Sequence, residues 1–261
     1  MPLNIRTYHE LTEPDRSGLG EQIAAQRRRL AERLAAVGRV IAVMSGKGGV
    51  GKSFVTANLA RALARSGRPV GVLDADLNGP TVARLLEAAE GRLTPQGDAF
   101  LPASGADGVR VVSMTQLLAD GQPLAFKGPA AESFVWRGAA EAGALRELLA
   151  DIAWGTLDVL LLDLPPGMQR FLELGDLLPA PPAVLTVTIP TPESRDAVRR
   201  AMRAAVERRA PLLGVVENMV GGPFAGTAGA DLAEEFETAM LARIPCHPAP
   251  DTWAVLAGRL G

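Results

Sequence analysis

The feature that most constrains this chain is an eight-residue glycine-rich segment between an apolar run and a helical pattern. Residues 46–53 match G-x-x-x-x-G-K-[ST] in full, with Val40–Met44 before them and the helical pattern Lys52–Ser66 at their end. Glycines let successive backbone amides turn inward around a phosphate, and the helix adds its N-terminal dipole. The segment therefore predicts a phosphate-binding loop. Its residues are Gly46, Lys47, Gly48, Gly49, Val50, Gly51, Lys52 and Ser53.

The last two residues of this loop have distinct predicted roles. We expect Lys52 to reach the β- and γ-phosphates of a nucleoside triphosphate and the Ser53 hydroxyl to ligate Mg²⁺. ATP and Mg²⁺ are therefore the predicted ligands, and ATP hydrolysis is the predicted reaction. A glycine-rich turn without a ligand is the alternative, but it does not account for the strand, helix, lysine and serine together.

Lysine is scarce in this chain. Of the 27 basic residues only three are lysines, Lys47, Lys52 and Lys127, so two of the three lie in the same loop. A compact ammonium and a planar guanidinium are not interchangeable, so both loop positions are predicted to need lysine for geometric reasons. Chance, with Lys47 as an ordinary exposed side chain, is the alternative.

Short apolar runs alternate with helical patterns along most of the chain. Most runs are continuous, as expected of strands buried on both faces, and the alternation predicts an α/β fold: a doubly wound, mainly parallel sheet with helices on both faces. The predicted strands are Val40–Met44, Val70–Leu73, Val109–Met114, Leu157–Leu162, Ala183–Ile189 and Leu212–Val216. The predicted helices are Lys52–Ser66, Gly79–Ala89, Gly143–Ile152, Glu193–Arg209 and Ala230–Leu241, and residues 91–108 are expected to form a loop or small hairpin.

The sequence predicts two parts, an N-terminal arm and helix over residues 1–38 and a P-loop ATPase domain over residues 39–261. The helix is expected from Glu21 to about Val37. Its apolar positions are Ile23, Leu30, Leu34 and Val37. The N-terminus shows no signal pattern, no apolar run approaches a membrane span, and the formal net charge is −2. These features predict a cytoplasmic protein with no membrane partner and argue against nucleic-acid binding.

Two aspartates follow the second predicted strand. Asp74 and Asp76 should stand near the phosphate loop, because ligands of such sheets bind at the carboxyl ends of the strands. We assign Asp76 to the attacking water and Asp74 to the metal shell. Capping of the next helix is the alternative role for this pair.

A third aspartate ends a later strand. Asp163 follows four apolar residues and is predicted to bind Mg²⁺ through water, beside Ser53. A buried strand that merely ends in an aspartate is the alternative. The rigid turn Leu164–Gly167 comes next, and the Gly167 amide is predicted to contact the γ-phosphate.

These motifs together resemble one branch of the P-loop ATPases. Residues 46–53, with the extra Lys47, resemble the deviant Walker A motif of the MinD, ParA and Mrp group, and Leu73–Pro80 resembles the D-A-D-x-x-G-P segment of the Mrp branch. Further matching stretches are Val135–Gly138, Trp154–Asp158, Leu164–Gly167, Val187–Pro192 and Gly214–Met219. The chain is therefore similar to the Mrp (ApbC-like) ATPases, which bind and transfer iron–sulfur clusters.

The resemblance implies a homodimer in which Lys47 reaches the nucleotide of the partner protomer, so that ATP binding is coupled to dimerisation. With Lys52 and Asp76, Lys47 then completes the predicted catalytic set. The resemblance also implies that Asn218 reads the adenine edge and that Pro248 flanks the base. A heterodimer stays open.

Two departures from the family pattern bear on function. The family carries a C-x-x-C pair soon after its E-N-M segment, whereas residues 220–226 hold no cysteine and the chain's single cysteine is Cys246. Cys246 and His247 of two protomers could share a cluster, but a buried structural cysteine is commoner, so self-contained iron–sulfur cluster binding is disfavoured. Relatives have T-G-D where this chain has Met168-Gln169-Arg170, and Arg170 either stabilises phosphate charge or points to solvent.

The sequence thus predicts a Mrp-type ATPase in iron–sulfur cluster or metalloenzyme assembly, with a scaffold or client protein supplying cluster ligands and hydrolysis slow or partner-dependent. Two alternatives stay open: a ParA- or MinD-like nucleotide switch, and a catalytically weak regulatory subunit. A DNA-binding switch would use the arginines of Glu193–Arg209, which we interpret as a solvated face. A MinD-like membrane helix is not indicated by Asp251–Gly261, whose one basic residue is Arg259.

Overall fold

The computed structural model describes residues 19–77, 79–116, 143, 145–224 and 226–260. Residues 1–18, Asn78, Lys127 and the stretch Val135–Gly138 lie outside this part, as does the side chain of Ile23. The helices are α1 (Leu19–Leu34), α2 (Lys52–Arg65), α3 (Val82–Leu85), α4 (Gln169–Leu177), α5 (Pro192–Glu207), α6 (Ala228–Glu235) and α7 (Thr252–Gly258). The strands are β1 (Val37–Ser45), β2 (Val70–Asp74), β3 (Thr94–Gln96), β4 (Ala99–Leu101), β5 (Ala103–Ser104), β6 (Arg110–Val112), β7 (Leu157–Asp163), β8 (Ala183–Thr188), β9 (Leu212–Val220) and β10 (Met240–Pro245). Residues 145–150 are also helical.

Eight of the described strands form one sheet in the order β10-β9-β8-β1-β7-β2-β6-β5. Every neighbouring pair is parallel except β5 with β6 at the edge. Strands β2 and β8 are buried along their whole length, and separate apolar cores cover the two faces of the sheet. The predicted doubly wound, mainly parallel α/β sheet is therefore confirmed.

The topology brings the predicted site residues to one sheet edge. The central strand β1 leads through Ser45 into the glycine-rich loop and α2, whose inner face is buried. On the neighbouring strands, Asp74 of β2 and Asp163 of β7 are direct register partners. Both carboxylates therefore stand beside the loop at the carboxyl ends of their strands.

Two helix predictions differ most from the structure in their extent. The helix predicted over Ala230–Leu241 ends at Glu235, and β10 follows from Met240 because this apolar stretch pairs in parallel with β9. The helix predicted over Gly79–Ala89 shortens to the four residues of α3, and Glu87 takes a left-handed φ of 57° just after it. The hairpin expected within residues 91–108 is present as β3 and β4.

The N-terminal helix docks on the sheet through the predicted face. Leu30 and Leu34 are buried in the same core as Trp154. The helix ends at Leu34, and Val37 begins β1 instead of continuing the helix. Helices α4 and α7 and strand β10 were not predicted. Among the described residues, no helix has both the length and the apolar character needed to cross a membrane.

Candidate functional site

The glycine-rich loop lines a cleft of about 440 Å³ at the carboxyl ends of the strands. Seven of the eight predicted loop residues lie on it, and Gly46 does not. The lining residues are Ser45, Lys47, Gly48, Gly49, Val50, Gly51, Lys52, Ser53, Phe54, Asp76, Thr81, Arg84, Leu85 and Pro166. A cleft walled by backbone amides and two lysines suits a polyphosphate.

Gly51 is required at its position for two independent reasons. Its φ is +78°, in the left-handed region that side chains disfavour, and it stands immediately before the first residue of α2. A Cβ atom there would also lie 2.3 Å from Nδ2 of Asn218. The loop is therefore packed tightly against the end of β9.

Gly46 gives a first test of this packing. A Cβ atom there would lie 2.2 Å from the carbonyl carbon of Ala197 and 2.4 Å from the amide nitrogen of Val198, both backbone atoms of α5. Because backbone atoms cannot turn aside, we expect Gly46→Ala to lower the free energy of unfolding by about 2–3 kcal/mol. The control is Gly48→Ala, whose Cβ would meet only Pro166 Cγ at 3.9 Å. Denaturant unfolding measures both, and equal losses would contradict the packing argument.

Asp163 is the centre of a buried polar cluster beneath the cleft. Its Oδ2 accepts hydrogen bonds from Ser53 Oγ at 2.6 Å and lies 2.8 Å from Lys52 Nζ. Its Oδ1 accepts from Thr56 Oγ1 at 2.6 Å. The predicted juxtaposition of Asp163 and Ser53 is therefore present. Hydroxyl and carboxylate oxygens so close together fit Mg²⁺, which takes a few protein oxygens and keeps several waters.

Asp74 performs the capping role that was the alternative prediction. Its Oδ2 accepts hydrogen bonds from the amides of Thr81 and Val82 at 2.9 and 3.0 Å, which fixes the start of α3. Its Oδ1 accepts from the Asp76 amide at 3.3 Å. Asp74 is buried and does not line the cleft, so its assignment to the metal shell stays a prediction.

Burial, together with the nearby Asp163 charge, raises the pKa of Asp74 from its ordinary 3.8 to about 7. Because the folded protein then holds a proton that the unfolded chain releases, this group lowers stability progressively between about pH 4 and pH 7. In Mg²⁺-free buffer, we expect the free energy of unfolding of Asp74→Asn, relative to that of the wild type, to increase by about 1–2 kcal/mol from pH 5.5 to pH 8. Urea unfolding at both pH values measures this difference, and a pH-independent difference would contradict it.

The predicted catalytic residues Asp76 and Lys47 both line the cleft. The Asp76 side chain is half-buried and accepts the Gly79 amide at 3.2 Å. Lys47 is half-buried and lies near Glu193. The pKa of Glu193 is lowered by a hydrogen bond from its own amide, then by the Thr191 hydroxyl, and further by the Lys47 charge.

The residues predicted to contact the γ-phosphate and the base make other contacts. The Gly167 amide donates to Ser45 O at 2.8 Å, so a γ-phosphate contact requires this hydrogen bond to be exchanged. Asn218 is buried and donates through Nδ2 to Val50 O at 2.9 Å, which ties β9 to the loop. Pro248 is half-buried in the segment after β10. The adenine-reading roles of Asn218 and Pro248 stay predictions.

The structure shows the partners of Arg170 and of several arginines on α5. Arg170 is buried and forms an ion pair with Glu173 at 2.6 Å, so the solvent-facing alternative is wrong. The arginines of α5 lie on a partly exposed face, as interpreted from the sequence, and three of them form ion pairs with carboxylates of α6. These pairs are Arg195 with Asp231 at 3.0 Å, Arg199 with Glu235 at 2.6 Å and Arg203 with Glu235 at 3.2 Å. Partly neutralised guanidiniums are poorly suited to binding a nucleic-acid backbone.

Cys246 is exposed, so the expectation of a buried structural cysteine is wrong. A Cβ atom on Gly222 would lie 2.5 Å from its Sγ. The thiol therefore lies beside Gly222, in the segment where the resemblance to the Mrp ATPases implies a C-x-x-C pair. Within the described residues, no three Cys, His, Asp or Glu side chains cluster as a metal cage.

Several residues of the site were not predicted from the sequence. Phe54, Arg84 and Leu85 line the cleft, and Phe54 also contacts Trp253 edge to face with ring centroids 5.5 Å apart. Thr56 could have been found from spacing, because it lies three residues after Ser53 on the same helix face. Arg84 and Leu85 carried no such signal, since their position depends on how α3 folds back over the loop.

Comparison with known proteins gives consistent matches. The family model described as "ParA: NUBPL iron-transfer P-loop NTPase" matches residues 36–253. An iron-sulfur cluster carrier protein of Saccharolobus solfataricus is 38% identical over 221 residues, which are 80% of this chain and 71% of that protein. A nucleotide-binding protein from Archaeoglobus fulgidus, solved in complex with ADP, has 30% identity and a TM-score of 0.69, covering 90% of this chain and 91% of that one.

A more distant structural match extends the fold comparison. MinD from Pyrococcus horikoshii, solved with Mg-ADP, superposes with a TM-score of 0.57 at 21% identity, covering 84% of this chain and 94% of that one. At this identity the match supports the fold and no more.

Proposed function

The chain belongs to the NUBPL iron-transfer P-loop NTPase family, as its resemblance to the Mrp (ApbC-like) ATPases predicted, and from this premise we propose that it is a Mg²⁺-dependent ATPase that serves iron–sulfur cluster assembly. The observation that carries the proposal is the contact of Lys52 and Ser53 with the buried Asp163 at 2.8 and 2.6 Å. This cluster joins the phosphate loop to the strand end, as phosphoryl transfer requires.

In the proposed mechanism, the loop amides and Lys52 bind and orient the β- and γ-phosphates. Ser53 and Asp163 would hold Mg²⁺, which neutralises charge on the phosphates when bound. Asp76, which also lines the cleft, orients the water that attacks the γ-phosphorus. This attack breaks the bond between that phosphorus and the β–γ bridging oxygen, and yields ADP and inorganic phosphate.

Dimerisation is a further part of the proposal. Lys47 lies on the cleft wall and is half-buried, with its ammonium near the start of α5. We propose that it reaches the phosphates bound by a second copy of the chain, so that each protomer completes the other's site. ATP binding then favours the dimer, and hydrolysis releases it.

Phosphate release from ATP tests the ATPase proposal. We expect release that requires Mg²⁺ and saturates with ATP. Tight ATP binding without turnover, with and without an added iron–sulfur scaffold protein, would favour the regulatory-subunit alternative instead.

The iron–sulfur part of the proposal is that Cys246 supplies one thiolate to a transferred cluster and that a partner supplies the rest. The chain holds one cysteine, and that thiol is exposed. Anaerobic reconstitution with iron and sulfide should therefore leave little iron on the protein, whereas added glutathione, as a source of thiolates, should raise iron retention. Cys246→Ala should retain none in either case. Equal iron on both proteins would contradict a role for Cys246, and His247→Ala tests whether the imidazole contributes.

A further inference from the structure

Thr56 carries a buried hydroxyl to which the proposed mechanism assigns no role. It lies on α2, three residues after Ser53, and is fully buried. Its Oγ1 lies 2.6 Å from Asp163 Oδ1 and 3.0 Å from Lys52 O. The hydroxyl has a single proton, and the shorter contact is to a charged acceptor, so the proton goes to Asp163.

The two oxygens of Asp163 have separate side-chain partners. Oδ1 is bonded to Thr56, and Oδ2 is bonded to Ser53 and lies beside Lys52. A bound phosphate would compete with Oδ2 for Lys52, and Mg²⁺ would compete with Oδ2 for the Ser53 hydroxyl. Neither competes for Thr56, which does not line the cleft. The bond to Oδ1 can therefore persist when a nucleotide binds.

The backbone of Asp163 is already fixed by the sheet. Its carbonyl accepts the Ala75 amide at 3.0 Å, and the residue is in register with Val43 and Asp74 on the two flanking strands. What the sheet leaves free is rotation of the carboxylate. A carboxylate free to turn would present either oxygen, or neither, to the cleft.

We propose that Thr56 is a positioning residue for the Mg²⁺ site: by holding Oδ1 of Asp163, it keeps Oδ2 directed at Ser53 and the cleft. This inference deepens the proposed ATPase function and rests on it. A purely structural role, in which Thr56 only fills space in the core, is the competing explanation. The two differ in whether Mg²⁺ is involved.

The test compares Thr56→Val, which keeps the shape but lacks the hydroxyl, with Thr56→Ser, which keeps the hydroxyl but loses a methyl. A fluorescent ATP analogue is titrated at a series of Mg²⁺ concentrations and also in EDTA. We expect Thr56→Val to need about tenfold more Mg²⁺ to reach half of the maximal Mg²⁺ effect on analogue affinity. This is the scale typical of residues that orient metal ligands. Its affinity in EDTA should change by less than about twofold, and Thr56→Ser should stay near wild type.

An unchanged Mg²⁺ requirement in folded Thr56→Val would overturn the inference, as would equal losses of affinity with and without Mg²⁺. If Thr56→Val does not fold, Thr56→Ala gives the same comparison without the branched side chain. The wild type provides the separate check on the ATPase proposal. If its nucleotide binding does not respond to Mg²⁺ at all, the proposed function fails, and if it responds but Thr56→Val behaves identically, only this inference fails.

Discussion

Lys52→Met is expected to lower the affinity for ATP at least about 100-fold. The ammonium is the one buried cation among the described residues that line the cleft, and it lies 2.8 Å from Asp163 Oδ2. Charge-assisted hydrogen bonds to two phosphates contribute about 3 kcal/mol together, which corresponds to about 100-fold in affinity. Isothermal calorimetry with ATP and Mg²⁺ measures the change directly.

Lys47→Met is the matched control, because it removes the same charge from the same loop. Lys47 is half-buried and forms no ion pair within the described residues. If it acts on the partner's nucleotide, ATP affinity of the isolated protomer should stay within about threefold of wild type, while ATP-dependent dimerisation and phosphate release are lost. Equal losses of affinity in the two variants would show that the lysines act together in one protomer, contrary to the proposal.

Asp163→Asn is expected to reduce Mg²⁺-dependent phosphate release at least about 100-fold. The substitution removes the negative charge that faces Lys52 and Ser53, and it replaces one acceptor oxygen by an amide group. Loss of a group that orients a metal costs 10- to 100-fold in affinity or activity, and misplaced phosphates add to this.

Asp158→Asn controls for a charge change on the same strand. Asp158 is exposed near the other end of β7 and lies 3.5 Å from Arg68. Phosphate release and its Mg²⁺ requirement should match wild type, because an exposed ion pair contributes little. If Asp163→Asn hydrolyses ATP as fast as Asp158→Asn, then Asp163 has no part in the reaction.

Much of the fold was predictable because strands buried on both faces read as continuous apolar runs. Strands β1, β2, β7, β8 and β9 were all predicted near their observed bounds. Strand β10 was missed because Ala239 through Ile244 fits a helix as well as a strand, and only pairing with β9 decides between them. The short α3 depends on an aspartate cap from β2, a contact between segments that periodicity does not reveal.

The candidate site, like the fold, was predictable from the sequence only in part. Residues within the loop motif were predictable because their spacing follows from phosphate geometry. Asp163 was predictable because a strand of apolar residues ends in it. The burial of Arg170 and the position of Cys246 beside Gly222 depend on how α4 and β10 pack. Such tertiary contacts leave no periodic pattern in the sequence.

The central claim is that this chain binds a nucleoside triphosphate with Mg²⁺ at the loop of residues 46–53. Calorimetric titration of the wild-type chain with ATP, with Mg²⁺ and then with EDTA, tests it most directly. We expect one ATP bound per chain, with binding clearly weaker in EDTA. The claim would be contradicted if the folded protein gave no heat of binding. It would also be contradicted if binding were independent of Mg²⁺ and unaffected by Lys52→Met.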